Sequence, residues 1–328
     1  MSPTETDRQT AGLDRRGLLL TGAAAVGAGL ASKAWAAART SAPPAMRLLP
    51  AQYSWPPMPA QAPVREGLAP LPDVKLWFWD TGGPGEPIVL LHSNTGSGEV
   101  WGYQQPVFAA AGYRVIGYSR RGHSRSEAGP KDAPGTGSAD LHALMDYLGV
   151  NRFHLLGSAA GGFIVPDYAL SHPERLLSMT IASSQGGVAD PAYRAVSDGL
   201  QMEGFRQMPA VFREVGPSYR AANPQGAARW AELEKASAPN GRINQKMAND
   251  LTWAAIERIK TPALVMTGSA DLILPPSRLP EWARHLQNCE TAVISEAGHS
   301  AYWEQPVAFN RAVLDFIGRH RGGRARQG

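Results

Sequence analysis

The chain has 328 residues, 43% hydrophobic and 18% charged, which excludes a disulfide-stapled miniature fold or a disordered tail and predicts one large domain, or a domain carrying an insertion. Lys and Arg number 32 against 28 Asp and Glu, a net charge of +4. Several of the arginines sit at the chain ends, so the folded middle is near neutral and no nucleic acid is expected as a partner. Arg319, Arg321, Arg324 and Arg326 lie in a Gly-rich stretch that reads as a frayed, solvated terminus, with 322–328 as a disordered tail.

At the N-terminus, Asp14-Arg15-Arg16-Gly17-Leu18-Leu19-Leu20 opens a short Ala/Gly-rich apolar stretch that ends in Ala34-Trp35-Ala36. This is the layout of a signal peptide over 1–36, cleaved near Ala36. The stretch from Gly17 to Ala31 is too short for stable membrane insertion. The arginine pair resembles the twin-arginine export signal, which makes the twin-arginine export machinery an expected partner and the periplasm the expected location. Cys289 is the only cysteine, so stability must come from the core rather than from a disulfide. No Cys/His cluster has zinc spacing, and no metal is expected.

Residues 37–63 contain Pro43, Pro44, Pro50, Pro56, Pro57, Pro59 and Pro63, a density that prevents regular helix and marks a tether or a wrapping arm. Val74 to Trp79 then reads as a strand, Gly82 to Gly85 as a turn, and Pro87 to Leu91 as a buried apolar run, together a hairpin feeding a core strand. Further short apolar runs follow at 113–118, 153–156, 177–182, 263–266 and 291–294. Segments with helical periodicity, such as 141–148 and 163–170, separate the early ones. This alternation predicts an α/β protein with a doubly wound, mostly parallel sheet of about eight strands. The core falls in two parts, 64–185 and 253–321, interrupted between Ser184 and Thr261 by helical segments carrying Met202, Phe205, Met208, Phe212, Trp230, Leu233, Met247 and Trp253. A helical insertion there would sit over the C-terminal edge of the sheet, where ligand crevices form. No G-x-G-x-x-G follows a strand and no P-loop is present, so no cofactor is expected.

Three strand ends carry candidate chemistry. After the run ending at Leu91, His92-Ser93-Asn94-Thr95-Gly96-Ser97-Gly98 is a Gly/Ser-rich turn suited to presenting backbone N–H groups to an anion. After Leu156, Gly157-Ser158-Ala159-Ala160-Gly161 has glycines two residues either side of position 159, the spacing of a sharp strand-turn-helix elbow, and alanine stands at its apex. Ser158, one residue before the apex, points away in such a turn. Asp271 follows one later strand and His299 the next, close enough in a parallel sheet for the carboxylate to hold the imidazole and set its tautomer.

These segments together resemble the α/β-hydrolase family from about Val64 to Arg319. His92-Ser93…Trp101 is similar to the family's His-Gly turn and downstream Trp, with Ser93 in place of glycine. Arg121-Gly122-His123-Ser124-Arg125-Ser126 is similar to its Arg-Gly-x-x-x-Ser loop, Asp271 to Pro275 to its acid loop, and Gly298-His299…Glu304-Gln305-Pro306 to its histidine segment. The resemblance implies a lid over about 186–252 and oxyanion donors at the N–H groups of Asn94 and Ala160. It also exposes a departure: Ala159 occupies the nucleophile position, so acyl-enzyme or alkyl-enzyme chemistry there is impossible.

The expected function is therefore hydrolysis or cleavage of a small apolar or aromatic ester, lactone or β-dicarbonyl substrate, with His299 and Asp271 as general base and an oxyanion hole but no serine nucleophile. Trp101, Ser93, Tyr302 and Trp303 flank the motif loops and are the expected substrate contacts, with Met202, Phe205, Met208 and Trp253 facing them from the lid. The alternatives are a serine esterase knocked out by substitution at 159, a cofactor-free oxygenase or lyase, and a non-catalytic binding protein.

Overall fold

The computed structural model describes residues 46–239 and 241–322. The leader, its cleavage site and the twin-arginine motif lie outside the described residues, as do 37–45 and the tail from 323. The strands are β1 (Arg47–Leu49), β2 (Arg65–Leu71), β3 (Val74–Asp80), β4 (Pro87–Leu91), β5 (Arg114–Tyr118), β6 (Phe153–Ser158), β7 (Leu176–Ala182), β8 (Ala263–Gly268) and β9 (Cys289–Ile294). They form one nine-stranded sheet in the order β1-β9-β8-β7-β6-β4-β5-β3-β2. β2 and β3 are antiparallel, as are β3 and β5; every other pair is parallel.

The strand count exceeds the expected eight, and β3 has a different partner from the one expected. Its hairpin mate is β2, paired from Leu71↔Val74 to Arg65↔Asp80, while β4 lies between β5 and β6. Burial explains the difference. Ile88, Val89, Leu90 and Leu91 are all buried, and a strand apolar on both faces needs the parallel interior of the sheet. β2 carries Arg65, Glu66, Gly67 and Pro70, residues that only an edge strand tolerates, and so gave no apolar run to read. β1 is three residues inside the Pro-rich arm, added parallel to β9 at the other edge.

Side chains alternate between two apolar cores. Val89, Leu91, Phe153, Leu155 and Val265 face α2 (Gly137–Tyr147), α3 (Gly161–Ser171) and α9 (Leu279–His285). Ile88, Leu90, Leu156, Leu264 and Met266 face α1 (Gln105–Ala110) and α11 (Pro306–Gly318), as the two-residue period of a strand requires. Between β7 and β8 the chain forms the helical insertion: α4 (Pro191–Gly199), α5 (Ala210–Glu214), α6 (Pro217–Ala222), α7 (Pro224–Ala236) and α8 (Trp253–Ile256). Before α11 lies the short α10 (Ala301–Glu304).

At the C-terminus, Arg319 and Arg321 are not frayed. Arg319 Nη2 is 2.6 Å from Glu290, and Arg321 Nε donates to the Tyr113 hydroxyl at 3.2 Å. Among the described residues no helix is long and apolar enough to cross a membrane.

Candidate active site

The chain leaves β4 for β5 on one side and returns to β6 on the other, so the C-terminal ends of these neighbouring strands are a topological switch point, the place where α/β sheets form a ligand crevice. Leu91 pairs with Gly157, which brings the turn after β4 beside the turn after β6. Ala159 has φ +49°, a left-handed conformation rare for a residue with a Cβ. The flanking glycines make the turn possible: a Cβ on Gly157 would stand 2.5 Å from the Gly161 carbonyl oxygen, and one on Gly161 would stand 2.3 Å from that of Leu91. The start of α3 therefore lies against the exit of β4. Among the described residues neither the Asn94 nor the Ala160 N–H donates to a protein acceptor. Ser158 is buried at the end of β6, away from the apex.

Across the crevice, His299 Nδ1 lies 2.9 Å from both oxygens of Asp271. The carboxylate also accepts from the N–H groups of Ile273 and Leu274 and from the Thr267 hydroxyl, each at 2.8 Å. Burial opposes ionisation of Asp271, but the His299 charge and these hydrogen bonds outweigh it and hold the carboxyl below its ordinary value. Burial likewise opposes protonation of His299, yet the Asp271 carboxylate, with Glu214 and Glu304 behind it, raises the imidazole above 6.5. An imidazole that donates from Nδ1 keeps its Nε2 lone pair, and among the described residues Nε2 has no protein partner.

Strand order, elbow, acid after β8 and histidine after β9 coincide in one molecule. The chain has the α/β-hydrolase fold. Residues 86–215 match a family model of that name. The 2-hydroxy-6-oxononadienedioate/2-hydroxy-6-oxononatrienedioate hydrolase of Paraburkholderia phymatum is 28% identical over 275 residues, 75% of this chain and 92% of that protein. A 2-hydroxy-6-oxo-6-phenylhexa-2,4-dienoate hydrolase of Comamonas testosteroni is 28% identical, over 74% of this chain and 91% of that one. Among solved structures, the enol-lactonase from Burkholderia xenovorans superposes with a TM-score of 0.61 at 26% identity, covering 77% of this chain and all of the other.

Within this α/β-hydrolase fold the expected substrate contacts divide. Ser93 and Tyr302 lie together, the Tyr302 phenol being close to the side chains of Ser300, Trp230 and Ser93. Trp101 meets Tyr302 at a tilt, with ring centroids 4.9 Å apart, but is itself buried in the core below. Trp303 faces elsewhere: its ring meets Tyr103 edge-on at 5.4 Å and its Nε1 donates to the Gly226 carbonyl. Trp253 is stacked on His285 at 4.3 Å and packed against Tyr193 and Trp282, while Met202 lies exposed on the outer surface. Apolar character in the insertion thus reflects its own packing for Trp253 and a surface position for Met202. Among the described residues no group of three or more His, Cys, Asp or Glu side chains is arranged to hold a metal ion. A groove of about 590 Å³ beside Asp80 and Arg114 lies at the start of β5, the end of the sheet opposite His299, and its charges are already paired at 2.7 Å.

Two carboxylates to which the strand-end motifs alone assign no role complete the site. Glu304, read only as part of the histidine motif, accepts from the N–H groups of Gly298, Ser300 and Gly216, tying the histidine loop to the insertion. Burial pushes its carboxyl up to about 7 against these donors. Glu214, at the end of α5, is buried and accepts from the Thr95 hydroxyl at 2.6 Å, while its backbone carbonyl accepts from Ser300 N–H. Its sequence neighbourhood, Phe212-Arg213-Glu214, looks like any solvated helix turn, and only the docking of the insertion turns it inward.

Proposed function

We propose that the protein is a hydrolase in which His299, oriented by Asp271, activates water directly and Ala159 leaves room for it, with no covalent enzyme intermediate. The carrying observation is the combination at these strand ends of an intact elbow with alanine at its apex and a paired imidazole whose Nε2 has no partner among the described residues. Removing the side-chain hydroxyl from the elbow makes space for a water or a substrate atom within reach of the base. His299 takes a proton from water, the hydroxide oxygen bonds to the substrate carbonyl carbon, and the resulting oxyanion is met by the N–H groups of Asn94 and Ala160. The tetrahedral intermediate collapses, the bond to the leaving group breaks, and that group takes up a proton.

A site without a nucleophile must attack an easily broken bond, because an oxyanion hole and binding alone supply only about 10³ to 10⁴-fold over water. That favours a small apolar or aromatic ester, lactone or β-dicarbonyl compound with a stabilised leaving group. The relatives named as hydrolases of 6-oxo dienoates and the enol-lactonase neighbour support this class. The Arg15-Arg16 leader supports export of the folded enzyme to the periplasm, and a reporter fused to residues 1–36 that stays in the cytoplasm would remove that part of the reading.

The test is a panel of activated esters, lactones and 1,3-diketones, run on the parent, His299→Ala and Ala159→Ser with oxygen uptake monitored. The parent should turn over at least one class without oxygen, with a rate that rises through a midpoint above pH 6.5, since the base works only when neutral and its proton affinity is raised. His299→Ala should abolish this activity and Ala159→Ser should impair it. Strong esterase activity appearing only in Ala159→Ser would make the protein a disabled serine hydrolase instead. Oxygen uptake would make it an oxygenase, and ligand retention without turnover a binding protein.

A further inference from the structure

We infer that Glu214, contributed by the insertion, is a second catalytic group: it delivers the proton to the leaving group while His299 handles the attacking water. The inference rests on the hydrolase reading above and extends it to the half of the reaction for which the elbow offers no group. Three contacts place the carboxyl. Its Oε2 accepts from Thr95, in the turn that carries Asn94. Its backbone carbonyl accepts from Ser300 N–H, next to His299. The loop that follows it is pinned by Gly216 N–H donating to Glu304, the carboxylate that also holds Gly298. Glu214 therefore bridges the oxyanion turn and the histidine loop, on the insertion side of the crevice.

The chemistry of the surroundings suits a proton donor. Among the described residues Thr95 is the only side chain that hydrogen-bonds this carboxyl, and Oε1 has no protein partner. The charged and titratable groups acting on it are His299 and Arg213, which favour the ionised form, and Asp271, which opposes it, with the Tyr302 phenol also close. Burial outweighs them and pushes the carboxyl above its ordinary value, so a proton is held there more readily than on a surface glutamate. The balance closes without any other reactant. Water gives its hydroxyl to the carbonyl carbon and its proton to His299 Nε2; Glu214 gives its proton to the departing oxygen or carbon; the imidazolium then returns a proton to the Glu214 carboxylate, leaving both groups as they began.

Glu214→Gln separates this role from a structural one when read on two esters of the same small aromatic acid, one with a 4-nitrophenyl and one with an ethyl leaving group. Nitrophenolate leaves without a proton and ethoxide does not. The variant should lose about a hundredfold or more on the ethyl ester and less than about threefold on the nitrophenyl ester, as expected for loss of a general acid. Thr95→Val, which keeps the carboxyl but loosens it, should show the same selectivity more weakly. An equal loss on both esters, or no loss on either, overturns the inference. A second readout needs no substrate: the Glu214 carboxyl, followed by its own carboxyl NMR signal, should still hold its proton at pH values where an exposed glutamate has lost it, and a carboxyl ionised throughout the pH range of turnover overturns the inference as well. If the parent turns over no ester, lactone or 1,3-diketone, the hydrolase reading fails on its own, and the carboxyl titration still decides whether Glu214 can serve as the acid.

Discussion

Ala159 holds a backbone conformation that costs an L-residue with a Cβ about 1–2 kcal/mol, and nothing in its own side chain repays that cost. The strain is held by the neighbours: Ala159 N–H donates to the Ala182 carbonyl, and the Ala159 carbonyl accepts from Gly162 N–H and from the Ser184 hydroxyl at 2.6 Å. Ala159→Gly should therefore stabilise the protein by about 1 kcal/mol, read as a higher urea midpoint with an unchanged slope. Gly157→Ala should act in the opposite sense, costing about 1–3 kcal/mol because its Cβ meets backbone that cannot swing aside. A stable Gly157→Ala protein with an unaltered midpoint would mean that the elbow is looser than these contacts require.

At the scale of elements, the arm from Met46 to Pro63 does more than connect. Its strand β1 closes one edge of the sheet, and beyond it Gln52 exchanges hydrogen bonds with Gln305 at 2.8 and 3.2 Å. Trp55 donates from Nε1 to the Glu304 carbonyl at 2.6 Å and meets the Tyr219 ring of α6 edge-on at 5.3 Å. Further along, Ala62 and Gln105 bond reciprocally at 2.9 and 2.8 Å. The arm thus straps the insertion and the histidine segment together from outside. Trp55→Ala should lower stability by about 1–3 kcal/mol through the lost ring contact and the unpaired carbonyl. Amide hydrogen exchange should quicken at Gly216 and Gly298, the two N–H groups that donate to Glu304 Oε2; protection unchanged at both sites would show that the strap is not coupled to the histidine loop.

Over the whole molecule, buried ionisable groups set opposing pH slopes. Burial lowers the proton affinity of His92, of His123 to about 3 and of His154 to about 4. The unfolded chain takes up protons on these histidines below about 6.5 while the folded chain does not, so stability falls as pH drops through that window. Asp271, held below its ordinary value, adds to the loss at still lower pH. Glu304 works the other way: with its carboxyl raised from 4.5 to about 7, the folded chain holds a proton that the unfolded chain has released, and stability declines as pH rises between those values. The His299 contribution, present below 6.5, is likewise lost as pH rises through its raised folded value. His123→Gln should flatten the acid limb of the melting temperature against pH and leave the alkaline limb in place. Parallel profiles for parent and variant would place the acid sensitivity elsewhere.

Local pattern alone carried the interior strands, the elbow and the pairing of Asp271 with His299. Each depends on a short-range regularity: continuous apolar runs in β4, β6 and β8, glycines two residues from position 159, an acid and a base at successive strand ends. The sequence also showed that position 159 has no nucleophilic side chain. Tertiary structure decided what such regularities do not encode. β1 and β2 are edge strands, one very short and one polar and proline-bearing, so neither has an apolar run, and the mate of β3 follows from which strand needs two parallel neighbours. Trp253 and Trp303 carry the same side chain as Trp101, and only packing determines which indole lies against Tyr302. Glu214 stands at the end of a five-residue helix with nothing nearby in sequence to mark it. It becomes part of the site because the insertion folds back over the strand ends, burying a carboxyl between two loops about 120 positions before it and 85 after it in the chain, a juxtaposition set by the path of the chain rather than by any local preference.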